Sequence, residues 1–142
     1  MDELAESIIQ PPTVEDYLNN VSYIIPDDYI PSEFAVRLVN LIKLINGAEG
    51  EANLTPLVHF YMLDTLTTGD RRICNMCHRG AAKTTLMAEY LSFYVAIYNE
   101  LPGLDNVNLM LYVSDSIENG VKNLRKNLEY RWENSDFLRK YI

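Results

Sequence analysis

Residues 72–131 constrain the fold more than any other stretch, because their apolar pattern switches period repeatedly. RICNM at 72–76 has the length and composition of a short strand, and residues 77–82 interrupt it as a loop. The pattern then predicts a long apolar helix over 83–99, ending ahead of Pro102 and Gly103. NVNLMLYVSD at 106–115 is a near-continuous apolar run of strand length, and Ser114 and Asp115 are placed to cap a helix from Ile117 to about Arg131. Strand, helix, strand, helix predicts a right-handed βαβ crossover, hence an α/β chain with a parallel sheet.

Upstream, the grammar is different. Pro11, Pro12, Pro26 and Pro31 keep the first thirty residues loosely structured, with room for a short helix over 14–19. From Ser32 the run FAVRLVNLIKLING predicts a mostly buried helix whose solvent stripe is Arg37, Asn40 and Lys43 and whose stop is Gly47. GAEGEAN reads as a loop. Thr55 then serves as N-cap with Pro56 at the first helical position, and LVHFYMLDTL continues as a helix to Thr67, Thr68 and Gly69. The expected organisation is an acidic, mainly helical segment over 1–52 followed by a second unit over 53–142. No internal repeat or low-complexity segment occurs.

Composition narrows the function classes. With 48% hydrophobic residues and two Cys among 142 residues, the chain is neither disordered nor a disulfide scaffold. Its apolar stretches are broken well short of the roughly 18 residues a membrane span needs, and the acidic start MDELAESIIQ is unlike a signal peptide, so a cytosolic chain is expected. The formal net charge of -8 is uneven: residues 1–70 hold 12 acids and two bases, whereas residues 71–142 hold 8 acids and 10 bases. An anionic ligand is therefore expected to meet the second part.

That part contains CNMCHRGAAKTT at 74–85. Gly80, Lys83 and Thr84 fall where the expected strand turns into a helix. Backbone N–H groups and the helix dipole there favour phosphate, a Lys reaches the terminal phosphates and a Thr hydroxyl can coordinate Mg²⁺. The GxxxxGK[ST] pattern demands Gly at positions 77 and 82, where this chain has Cys77 and Ala82. An alanine in left-handed φ costs roughly 1–2 kcal/mol, which phosphate binding can offset. A chance Lys-Thr pair opening a helix is the alternative.

RRICNMCHRGAAKTTLMAEYLSFYVAIY, followed by NVNLMLYVSDSIENGVKNLRKNLEY, resembles the start of the ATPase domain of tailed-bacteriophage terminase large subunits, the motors that package viral DNA. That family uses a deviant phosphate loop with an Arg-Gly pair ahead of the Lys, matched here by Arg79, Gly80, Ala81, Ala82, Lys83 and Thr84. The resemblance covers roughly residues 53–133. It implies an incomplete P-loop NTPase fold, with ATP phosphates cradled by His78, Arg79, Gly80, Ala81, Ala82, Lys83, Thr84 and Thr85. Lys83 would neutralise the β and γ phosphates, Arg79 would sense or stabilise the γ phosphate, and Thr84 would hold Mg²⁺. NLTPLVHFYMLD, with Pro56 and His59, is similar to the helix the family places near the adenine.

Each assignment has a plainer reading. Arg79 can be a solvated arginine, and a lone His59 on an apolar helix is more often a core histidine. Asp115 and Ser114 more often cap a helix. The resemblance further implies viral double-stranded DNA, the portal and the small terminase subunit as partners, a ring oligomer, and the bacterial cytosol as location, with transient residence at the prohead portal. Hydrolysis also needs an apolar strand ending in an acid, with an adjacent Glu to activate water. LMLYVSD lacks that Glu, so the family's Walker B strand and nuclease domain would lie beyond Ile142. The expectation is weak or no nucleotide binding by these 142 residues alone and no turnover.

Competing readings concern other chemistry. A catalytically incomplete interaction module could dock on the portal, the small terminase subunit or a host recognition protein. Cys74, Cys77 and His78 spell CxxCH, a haem-attachment motif that requires export, and with His59 they offer four zinc ligands. Lys122, Arg125, Lys126, Arg131, Arg139 and Lys140 could meet DNA, but their spacing among Glu118, Glu129 and Glu133 suits a salt-bridged solvated face.

Overall fold

In the computed structural model, which describes residues 25–26, 28–69 and 72–142, the central element is helix α1 (Glu33–Asn46). Ser32 starts it by accepting a hydrogen bond from the Ala35 amide at 3.1 Å, and Gly47 stops it at φ 58°. Ala35, Leu38, Val39, Leu41 and Ile45 are buried, and Arg37 and Asn40 lie on the exposed stripe, as the helical period requires. Lys43 is half-buried, because α2 packs beside it.

That helix α2 (Ala48–Ala52) occupies the segment expected as a loop. Gly50 in it is a close-approach residue: a Cβ there would lie 2.6 Å from the Lys43 carbonyl oxygen. Helix α3 (Leu57–Asp64) follows one residue later than expected, with Pro56 at the cap position in place of Thr55. It tightens into a 3-10 turn, Thr65–Thr67, where the Thr65 and Thr67 hydroxyls donate to the Met62 and Asp64 carbonyls at 2.6 and 2.7 Å. The threonine run thus satisfies carbonyls that a helix end leaves open.

Helical backbone resumes at Lys83, widens into a π turn at Thr85–Tyr90 and continues as α4 (Leu91–Tyr98), closed by Asn99 in the left-handed region. An isolated antiparallel bridge between Leu101 and Leu104 reverses the chain. Ser116, rather than Ser114 or Asp115, caps the next helix by accepting from the Asn119 amide at 3.1 Å. A second π turn, Ile117–Val121, leads into α5 (Lys122–Asn134), and α6 (Asp136–Tyr141) follows. The core joins α1, Met62 and Leu63 of α3, Leu86 and Tyr90, the start of α4, and Leu138 of α6.

The expected parallel sheet is absent. Helix accounts for 61% of the described residues and no strand or sheet occurs among them, which overturns the α/β P-loop architecture. Residues 72–76 and 106–113 are neither helical nor paired with one another, and in the second run Val107 alone makes a backbone hydrogen bond among the described residues. The physical reason is that an apolar run reports a preference for burial, whereas a strand exists only through a neighbour's hydrogen bonds. No helix among the described residues is long and apolar enough to cross a membrane. The helix expected over 14–19 lies outside the described residues.

Candidate functional site

The turn ahead of Lys83 is shaped by two residues in the left-handed region, Gly80 at φ 95° and Ala82 at φ 53°. Glycine adopts that conformation freely, while Ala82 is strained by its Cβ. The Ala81 amide donates to the His78 carbonyl at 3.4 Å, and the Leu86 amide to the Ala82 carbonyl at 2.8 Å. Between them, the amides of Ala82, Lys83, Thr84 and Thr85 donate no hydrogen bond among the described residues. These are the open donors of a helix N-terminus, where the dipole also favours an anion.

Lys83 bends back over the turn, its Nζ 3.4 Å from the Cys77 carbonyl oxygen. This contact closes residues 77–83 into a loop with the ammonium at its junction. Thr84 is exposed and its hydroxyl makes no hydrogen bond among the described residues. Such a free hydroxyl suits a hard cation such as Mg²⁺, which takes its other oxygens from phosphate and water. Between Arg72 and Ala88 the sequence contains Arg72, Arg79 and Lys83 and no acid, while Lys43 and Glu49 both line the cavity beside the turn. Arg79 and His78 are exposed beside the turn.

His59 comes to the same place. Its Nε2 lies 3.2 Å from the Ala81 carbonyl oxygen, which accepts a hydrogen bond in the tautomer that places the proton on Nε2. The helix carrying His59 is thereby tied to the turn. A cavity of about 240 Å³ opens next to it, lined by Ile42, Asn46, Pro56, His59, Ala82 and Tyr90 among others. Its apolar walls adjoin the open amides of Ala82 and Thr85, so a flat ring seated there could carry phosphates to the turn.

The far wall of this cavity was not foreseen. Tyr90 donates to the Asn46 side-chain oxygen at 2.9 Å, and Arg131 reaches Tyr90 Oη at 2.5 Å while its guanidinium lies 4.4 Å from the centre of the Tyr90 ring. Glu89, only 3% exposed, accepts from Arg131 Nε at 2.8 Å and from Asn127 at 2.9 Å. The signal was present: Glu89 is the single charged residue between Lys83 and Asn99.

The four residues weighed as zinc ligands are not gathered, and four of the six basic residues weighed for DNA are paired with acids. Cys77 turns its Sγ toward the Met62 sulfur at 4.0 Å, Cys74 is exposed, and no three His, Cys, Asp or Glu side chains gather to hold a metal among the described residues. Of the basic residues weighed for DNA, Lys122 pairs with Glu118 at 2.5 Å, Arg125 with Glu129 at 2.7 Å, and Arg139 with Asp136. Arg131 is committed to Glu89. No family model, curated protein or solved structure matches the chain.

Proposed function

We propose that the Arg79–Thr85 loop holds the phosphates of ATP together with Mg²⁺, as the nucleotide-binding part of a viral DNA-packaging terminase motor. The observation that carries this reading is the turn itself: four undonated amides at a helix start, beneath a lysine folded onto the Cys77 carbonyl. Gly80 and Ala82 place two left-handed residues in the turn just ahead of those amides, a kind of backbone that phosphate-binding loops use. Lys83 and Arg79 supply charge for the β and γ phosphates, Thr84 a Mg²⁺ ligand, and the cavity beside His59 a place for the base. The terminase assignment rests on the order of residues through this turn, since a sheet is absent among the described residues. No acid–Glu pair accompanies the turn, so binding without turnover is the activity these residues support.

The test is a titration of the protein with Mg-ATP, followed by amide NMR. Shifts concentrated at Gly80, Lys83, Thr84 and Thr85 at millimolar ligand are expected. They should vanish in Lys83→Ala and persist in Lys122→Ala, whose charge lies on the paired face of α5. Undisturbed amides, or equal shifts in both variants, would remove the phosphate-binding reading. Lys83-dependent hydrolysis by the 142 residues alone would remove the incomplete-motor reading.

A further inference from the structure

The segment following the Leu101–Leu104 bridge is unusual in what it leaves uncovered. The Val107 amide donates to the Asn99 carbonyl at 3.2 Å, and beyond it the backbone of residues 108–113 forms no hydrogen bond among the described residues. Leu109, Leu111 and Val113 are 79, 80 and 78% exposed, while Met110 and Tyr112 between them are 40 and 38% exposed. That alternation is the side-chain period of a strand, with one apolar row wholly in solvent. A row of unpaired amides and carbonyls carrying such side chains is a template for another strand.

Charge says which strand. From Asn106 to Ser114 there is no charged residue, and Asp105 and Asp115 bound the run at its two ends. The complement is an apolar segment with basic ends, and the chain contains one: ICNMCH, bounded by Arg72 and Arg79, with Ile73 and Met76 exposed. Within one molecule the two segments are not paired. No backbone hydrogen bond joins them, and a cavity of about 340 Å³ is lined by Ile73 and Asn75 together with Tyr112.

We propose that residues 107–113 add a strand from a second copy of this chain, its residues 72–77 lying antiparallel so that Arg72 meets Asp115 and Arg79, on the turn that follows the strand, faces Asp105. The acidic pair is three residues farther apart in sequence than the basic pair, about 10 Å in extended chain, or about 5 Å at each end, within reach of an arginine side chain. A run paired with itself in antiparallel register about Met110 would instead set Asp105 against Asp115. Because the two surfaces differ, a pair joined by one such contact keeps one of each free, on opposite copies, and association continues beyond a dimer.

Sedimentation velocity over a concentration series tests this. The expected result is reversible association past the dimer that weakens with salt. Leu109→Lys combined with Leu111→Lys should remain monomeric with an unchanged circular dichroism spectrum. Asp115→Arg should weaken association about tenfold, and adding Arg72→Asp should restore it. A chain that stays monomeric, association that survives the double lysine variant, or a charge reversal without restoration would each overturn the interface.

Discussion

At the scale of single residues, one carboxylate organises the entry to the core. Asp64, at the end of α3, accepts from the Ser32 amide at 3.1 Å and from the Ser32 and Tyr29 hydroxyls. The same Ser32 oxygen caps α1, so one serine links two helices. Burial first, and then the hydrogen bond and charge of Asp64, push the Tyr29 phenol well above its ordinary value. A folded-state pKa raised this way keeps stability intact below the unfolded value of about 10 and loses it as pH climbs through the folded one. Urea denaturation at stepped alkaline pH should show that decline. Tyr29→Phe should cost about 1 kcal/mol at neutral pH and flatten part of the alkaline slope. Tyr94, also raised by burial, would carry the remainder. An unchanged slope in the variant would refute the assignment.

At the scale of elements, α5 has no buried residue, so apolar packing alone does not seat it. Arg131 and Asn127 dock it on Glu89 in the π turn, where the wider turn carries both Glu89 and Tyr90 to the buried side. Removing one partner of such a pair strands the other charge in a poorly solvated place. Glu89→Ala should therefore destabilise the fold by about 3 kcal/mol. The double change Glu89→Met with Arg131→Met should recover most of that loss in chemical denaturation; additive losses would contradict the pairing argument. The helix over 83–99 was legible from its apolar content, and its start from Lys83 and its stop from Asn99 were close to what is found. The partner of Glu89 was not, because Arg131 is 42 residues away and no local pattern joins them.

At the scale of the whole molecule, the last helix closes the core that α1 begins. Leu138 is fully buried among α1 and its neighbours, and Ser135 caps its helix by accepting from the Leu138 amide at 3.3 Å. Leu138→Ala should lower unfolding free energy by about 3 kcal/mol, read from the urea midpoint, although only four residues of the given sequence follow it. A loss below about 1 kcal/mol would place Leu138 outside the core. The amino-acid sequence by itself determined the starts and stops that depend on adjacent residues: Ser32 and Gly47 around α1, the threonine run after α3, and the glycine-bearing turn before Lys83. It did not show that His59 on α3 would lie against the Ala81 carbonyl, a contact across 22 residues of chain. Only tertiary structure decided that the two apolar runs remain unpaired, that GAEGEAN packs as a helix on Lys43, and that Glu89 is answered by Arg131. Caps and left-handed turns are settled within a few residues of chain, whereas strand pairing, close approach and buried charge depend on partners that folding brings from far along it.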